Sequence, residues 1–216
     1  HSTEWDNVIK KDVKVDRFQE VYVSTFSYHG SRLVSTNESS ADIIAYDKPH
    51  DLALLRLHNP EPVKYVASII PEAEIAAVRL FDPVWISGCS LGHDPFASPG
   101  TLTCLRELSE QKTYYMANAP SIFGNSGGGL FHGDTGHLLG LTARLTQLPP
   151  GLGSDVLAWM EFSVHPERLY EFFRAQELNF LFDPSDTYRA AMGRRDKRRQ
   201  DSQKMLLAAD ILEGGK

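Results

Sequence analysis

RFQEVYVSTFSYHGSRLVSTNESSADIIAYDKPHDLALLRL, residues 17–57, alternates β-branched and aromatic side chains with polar ones in short runs. The runs RFQEVYVSTFSYH, SADIIAYD and DLALLRL are parted by HGS, NESS and DKPHD, breaks that are small and polar. Alternation with period two on such residues marks strands. No amphipathic segment of helical length separates them, so the connections read as hairpins and the sheet as an antiparallel meander, not a βαβ array.

Downstream, the proline-punctuated HNPEPVKYVASIIPEAEI (58–75) leads to a second series: PVWISGC, GTLTCLREL, TYYMANAP, GGLFHG, HLLGLTARL and VLAWMEFSV. Two β units are therefore expected, over residues 1–66 and 67–183. Behind Pro166 the pattern changes: Leu169, Phe172, Phe173, Gln176 and Phe180 recur at helical spacing after a proline suited to a first turn, so one helix closes the second unit. Residues 184–216 form a basic tail with a helical candidate over 186–213, whose apolar end KMLLAADIL suits docking on a partner, a second copy or the body.

Composition sets the outer limits. At 216 residues and 24.2 kDa, 42% hydrophobic, the chain can bury roughly 70% of its unfolded surface, which excludes wholesale disorder, collagen and coiled coil. No apolar run approaches the roughly 18 residues that span a bilayer, so no membrane insertion is expected. The first residue is His, so residues upstream are expected to have been removed or to lie outside this sequence; the compartment stays open, with the cytoplasm as default. Cys89 and Cys104 are too few for a disulfide framework or a four-thiolate metal site, and one bridge or two reduced thiols both fit.

The net charge of −6 is uneven. Seven basic side chains between Arg189 and Lys204 oppose only Asp196 and Asp201, a local +5, and the remainder carries −11. The body repels nucleic acid and the tail attracts it. The run RRDKRR reads either as a solvated helix face or as a contact for an anionic partner.

Chemistry concentrates in GNSGGGLF, residues 124–131. Glycines let backbone turn sharply and come close to a reacting carbonyl, and the N–H groups of such a turn can converge on an oxyanion. Ser126 is the candidate nucleophile; an ordinary glycine-rich loop is the plainer reading. Asp51 stands just before an apolar run whose first residue should be buried, where an acid either shapes a turn or orients a histidine.

With these residues in view, the sequence resembles the trypsin-like, chymotrypsin-fold serine peptidases, and more closely their HtrA/Deg-type branch. GNSGGGL is similar to that branch's GNSGGPL, DLALLRL to its DLALLK, NAPSIF to its approach to the serine, and HLLGLTARL to its strand after the nucleophile. The resemblance covers about residues 18–175. It departs at Gly129, where the family usually has Pro, in the basic tail, and in having no recognisable PDZ module downstream. It implies a mainly β fold of two antiparallel barrels with a C-terminal helix, and hydrolysis of protein or peptide substrates with no metal or cofactor.

The family order of His, Asp and Ser, with the histidine ahead of the strand matched by EVYVSTF, implies His1 as general base with Asp51 and Ser126. Two strands that the family sets before that histidine are not in this sequence, so either the natural protein is longer or the triad is incomplete. The resemblance implies an oxyanion hole at the N–H groups of Gly124 and Ser126. It implies a primary pocket with Pro120 and Ser121 at its base and Thr142, Ala143 and Arg144 on its flank. No acid occupies the base positions, so cleavage after uncharged residues is expected. The rival reading is a catalytically silent protease-like module with the tail as its contact element.

His132, Asp134 and His137 read as a hairpin turn, not a metal site. Trp5, Trp85 and Trp159 are expected to pack in the core.

Overall fold

The structure, a computed structural model, describes residues 2–6, 11–15, 20–60, 63, 65–147 and 156–213. The chain divides into two compact units, 1–64 and 65–216.

In the first unit, β1 (Ser2–Asp6) and β2 (Lys11–Val15) pair as an antiparallel hairpin. β3 (Val21–His29), β4 (Arg32–Asp47) and β5 (Leu52–Leu57) form the expected antiparallel meander. The β3–β4 turn falls at HGS, with Gly30 at φ 62°. The sequence also suggests a break at NESS, and there is none: β4 runs straight through it. Residues 32–41 of β4 pair with β3 and residues 41–47 with β5. The β3 ladder thus holds the backbone of Asn37, Ser39 and Ser40 extended, and cross-strand pairing overrides their weak strand propensity. Ala41, Ala45 and Leu52 are buried.

In the second unit the six sequence runs become six strands: β6 (Pro83–Gly88), β7 (Phe96–Ser109), β8 (Lys112–Ala117), β9 (Gly129–His132), β10 (Leu138–Gln147) and β11 (Val156–Val164). They close into a barrel in the order β10-β11-β8-β7-β6-β9. Closure leaves no ladder edge unpaired within the ring. The fold is thus mainly β and chymotrypsin-like, with the closed barrel in this unit and, among the described residues of the first unit, an open three-stranded sheet.

Val84, Ile86, Leu102, Tyr115, Leu130 and Leu139 fill the barrel. Trp85 and Trp159 do not join them, being 44% and 58% exposed. Trp85 alternates with the inward Val84 and Ile86. On β11 the register slips, with Leu145 opposite Glu161 but Thr146 opposite Leu157, so one step on β10 spans four on β11. Within that slip Trp159 faces out while Glu161 faces in. The Trp5 side chain lies outside the described residues.

The helix α1 (Pro166–Ala175) starts where the sequence places it: His165 caps it by accepting from the Glu167 N–H, with Pro166 in the first turn. Leu169, Tyr170, Phe172 and Phe173 are buried, and the Tyr170 hydroxyl donates to the Ile70 carbonyl at 2.8 Å. Phe180 lies beyond the helix end, in a short 3-10 turn, because Glu177 takes a left-handed φ of 59°. The tail helix α2 (Tyr188–Glu213) is docked by its first turns. Arg198 donates to the Ala175 carbonyl at 2.8 Å, Arg195 donates to the Gln176 carbonyl, and Arg194 pairs with Glu177 and Asp186. Among the described residues no helix is long and apolar enough to cross a membrane. Cys89 and Cys104 are both free.

Candidate active site

Ser126 sits in the connection from β8 to β9, exposed at a turn that is pinned from behind. The pin is Asn125, 2% exposed: its Oδ1 accepts from Ser90 Oγ at 2.6 Å and its Nδ2 donates to Ser121 Oγ at 3.1 Å. Backbone bonds complete the hold. The Gly127 N–H donates to the Thr142 carbonyl at 2.7 Å, and the Thr142 N–H donates to the Gly128 carbonyl at 2.9 Å. Two glycines are dictated by this geometry. Gly124 has φ 99°, and a Cβ at Gly128 would stand 2.3 Å from the Ser87 carbonyl oxygen. The amide N–H groups of Gly124 and Ser126 take no part in the loop's hydrogen bonds among the described residues.

Beside Ser126 opens a cleft of about 480 Å³ walled by Phe123, Ala143, Arg144, Leu145 and Phe162, with Ser109 and Thr146 at its margin. Consecutive residues of a regular strand alternate between faces, yet Ala143 and Arg144 both reach this wall. A bulge explains it: Thr142 pairs with Ser163 and Arg144 with Phe162, so Ala143 is the extra residue. Arg144 is held along the wall by Glu110 at 2.6 Å and Ser109 at 3.2 Å. Its guanidinium pulls the Glu110 carboxyl below the usual range.

Of the residues read from the sequence as a substrate pocket, Ala143 and Arg144 share the cleft with Ser126. Thr142 is buried behind them, Ser121 is buried against Asn125, and Pro120 is exposed in the approach to the loop. Phe123 ends the NAPSIF approach to the serine and reaches the wall from there, whereas Phe162 carries no motif and only three-dimensional closure brings it to the wall. Burial pushes the Glu161 carboxyl, on the inner face of β11, up to about 7, against hydrogen bonding from Ser163.

In the other unit, Asp51 closes the turn after β4, exposed, with φ 56° and its N–H directed at the Lys48 carbonyl at 3.3 Å; Leu52 behind it is buried, as the sequence suggests. Asp tolerates the left-handed region better than most residues. The neighbouring His50 binds Asp47 through Nδ1 at 2.7 Å and caps the same turn. His1 lies outside the described residues.

A second Ser–His–Asp chain crosses the first unit. The Ser40 hydroxyl meets His58 Nδ1 at 2.9 Å, and His58 Nε2 meets Asp42 at 2.9 Å, with Arg56 on the same carboxylate. Its nitrogens are reversed relative to a hydrolytic triad, where Nε2 faces the serine. Ser40 also lies within the β3–β4 ladder, so no turn presents converging N–H groups to it. The arrangement is a surface ion-pair network.

His132 Nδ1 accepts from the Asp134 and Thr135 N–H groups at 3.3 Å each, the hairpin geometry expected there. Among the described residues no three His, Cys, Asp or Glu side chains gather as a metal site.

Comparisons with known proteins agree with this fold. The chain is similar to the HtrA-type protease AlgW solved with a decapeptide, at 18% identity and a TM-score of 0.53, over 64% of this chain and 41% of that one. It is similar to the apo MamO protease domain of Magnetospirillum magneticum at 19% identity and a TM-score of 0.52, over 70% and 74% of the two chains. At such identity the likeness speaks for the fold, and this chain spans less than half the length of AlgW. No curated protein sequence matches it. The family model described as a trypsin-like peptidase domain matches residues 7–141, a span that contains both Asp51 and Ser126. The chain belongs to the trypsin-like peptidase family.

Proposed function

We propose that this chain is a serine endopeptidase in which Ser126 attacks the substrate carbonyl, His1 takes the proton from its Oγ, and Asp51 holds the imidazole and balances its charge. The observation that carries the reading is the pinned loop. An exposed Ser126 stands at the mouth of a cleft while the N–H groups of Gly124 and Ser126 are left over by the hydrogen bonds that hold the turn. Those two donors would stabilise the tetrahedral oxyanion; losing one costs roughly 3 kcal/mol of transition-state stabilisation. Collapse of the intermediate expels the amine with the proton held by His1, and water then releases the acyl group from Ser126.

The wall of Phe123, Ala143, Leu145 and Phe162 is apolar, its charged member Arg144 is cationic, and no acidic side chain lines it. Cleavage after uncharged residues follows, since among the described residues no acidic side chain lines the cleft to receive a cationic one, and the one acid near it, Glu110, is already paired with Arg144. The kcat/KM values of peptides that differ only at that residue test this, and a strong preference for Arg would refute it.

The deciding experiment treats the protein with a fluorophosphonate probe beside Ser126→Ala and His1→Ala. Labelling lost in both variants supports the triad. Labelling lost only with Ser126→Ala assigns another base, and none at all favours the catalytically silent module.

A further inference from the structure

Glu161 is fully buried on the inner face of β11. One carboxyl oxygen, Oε1, accepts from Ser163 Oγ at 2.6 Å. The other, Oε2, has no hydrogen-bond partner, and neither has the buried Oγ1 of Thr142 on the neighbouring strand. An unsatisfied carboxyl inside a barrel costs several kcal/mol, so its presence asks for a reason.

The reason lies one strand away. Thr142 is the residue that stitches the serine loop, through its N–H to the Gly128 carbonyl and its carbonyl to the Gly127 N–H. It pairs in register with Ser163, the residue that donates to Glu161. A carboxylic acid has one donor and one strong acceptor, which suits the two hydroxyls: Oε1 accepts from Ser163, and an Oε2–H donates to Thr142 Oγ1.

Resting on the peptidase reading, we propose that Glu161 is a positioning residue for Ser126, bridging Ser163 and Thr142 inside the barrel and thereby fixing the Thr142 backbone to which the nucleophile loop is bonded.

The bridge is weakened by loss of the proton. Removing it leaves a fully buried anion to which Ser163 and Thr142 can offer one hydroxyl each, less than the hydration it gives up, and the strand then reaches for water at the loop's expense. No charged side chain contributes to the titration of Glu161. Its neighbours in register are Leu145 of β10 and Ala117 of β8, and the polar groups facing it are the hydroxyls of Ser163 on β11 and Thr142 on β10.

The test compares the full wild-type chain with Glu161→Gln, an isostere that keeps one donor and one acceptor at every pH, and with Thr142→Val. Two quantities are followed from pH 6 to 8.5, well below the unfolding temperature: amide hydrogen exchange of residues 122–130, and the rate of fluorophosphonate labelling. In the wild type, loop protection relative to Glu161→Gln falls as pH rises past 7. Labelling falls with it, by about tenfold per pH unit where the protonated form alone holds the loop. Thr142→Val lowers protection at every pH. A wild-type to Glu161→Gln ratio that stays flat in both measurements overturns the proposal. A pH-dependent exchange ratio in a chain that never labels upholds the bridge and refutes the peptidase reading instead.

Discussion

The two units bury apolar surface on different scales. The barrel unit packs Val84, Ile86, Leu102, Leu130 and Leu139 into one closed core. The meander unit, among its described residues, buries Ala41, Ala45 and Leu52, and leaves Ile43 and Tyr46 exposed. The two candidate triad members follow their surroundings. Ser126 is held by buried side-chain hydrogen bonds that run through Asn125 to Ser90 and Ser121. Asp51 is held by a local backbone turn that needs no core. Ser126 therefore depends on tertiary packing, and Asp51 on its own conformational tolerance.

The largest expected effect separates the two in function. Asp51→Asn keeps the left-handed turn and removes the charge, so labelling of Ser126 should fall by up to about 10⁴-fold while the melting temperature holds. A variant that labels normally would detach Asp51 from the chemistry. Next comes the core: Leu102→Ala should cost about 2–5 kcal/mol in denaturant unfolding, and Leu54→Ala in β5, only half buried, well under half of that. Equal costs would break the comparison.

Third, Glu161→Gln should stabilise the chain above pH 7 by roughly 3 kcal/mol, at 1.36 kcal/mol per pH unit between the ordinary 4.5 and about 7. The folded carboxyl holds its proton more tightly than the unfolded one, so its contribution to stability declines as pH climbs through that window and the full penalty applies beyond it. His165 works in the opposite sense. Desolvation lowers its imidazole to about 4, so its contribution is lost as pH falls from 6.5 toward 4. The two groups nearly cancel in the wild type, and Glu161→Gln should expose the rising limb of His165 in a stability profile against pH.

Fourth, Asn125→Ala leaves the buried hydroxyls of Ser90 and Ser121 short of a partner and should cost about 1–3 kcal/mol, together with most of the labelling of Ser126. Smallest is the exposed ion pair of Arg174 with Glu72, whose removal by Arg174→Ala should move stability by less than about 1 kcal/mol.

The strands of the barrel were legible because period-two alternation survives in each run, and α1 because a proline, a capping histidine and an apolar stripe coincide. The passage of β4 through NESS was not, because the ladder that holds it comes from residues 21–29, and propensity read locally favours a turn. Serine and aspartate stood out through GNSGG and DLALL. The cleft wall did not, because the bulge at Ala143 and the slip beyond Leu145 change which face each residue presents, and alternation carries no sign of either. Glu161 was hidden by the same slip, which turned an acid inward and Trp159 outward.

The docking of α2 on α1 bears on what the tail can bind. Of the seven basic side chains from Arg189 to Lys204, Arg194, Arg195 and Arg198 are already engaged with groups of the chain itself, two of them at the partly negative end of the α1 dipole. Of these three only Arg194 is neutralised, by Glu177 and Asp186; Arg195 and Arg198 lean on neutral carbonyls and keep their charge, so six remain for outside phosphates. For duplex DNA the counterion-release slope of log K against log salt then comes to about −5.4 and not the −6.3 or so that the composition suggests, which makes the tail a slightly weaker polyanion handle than its charge run implies.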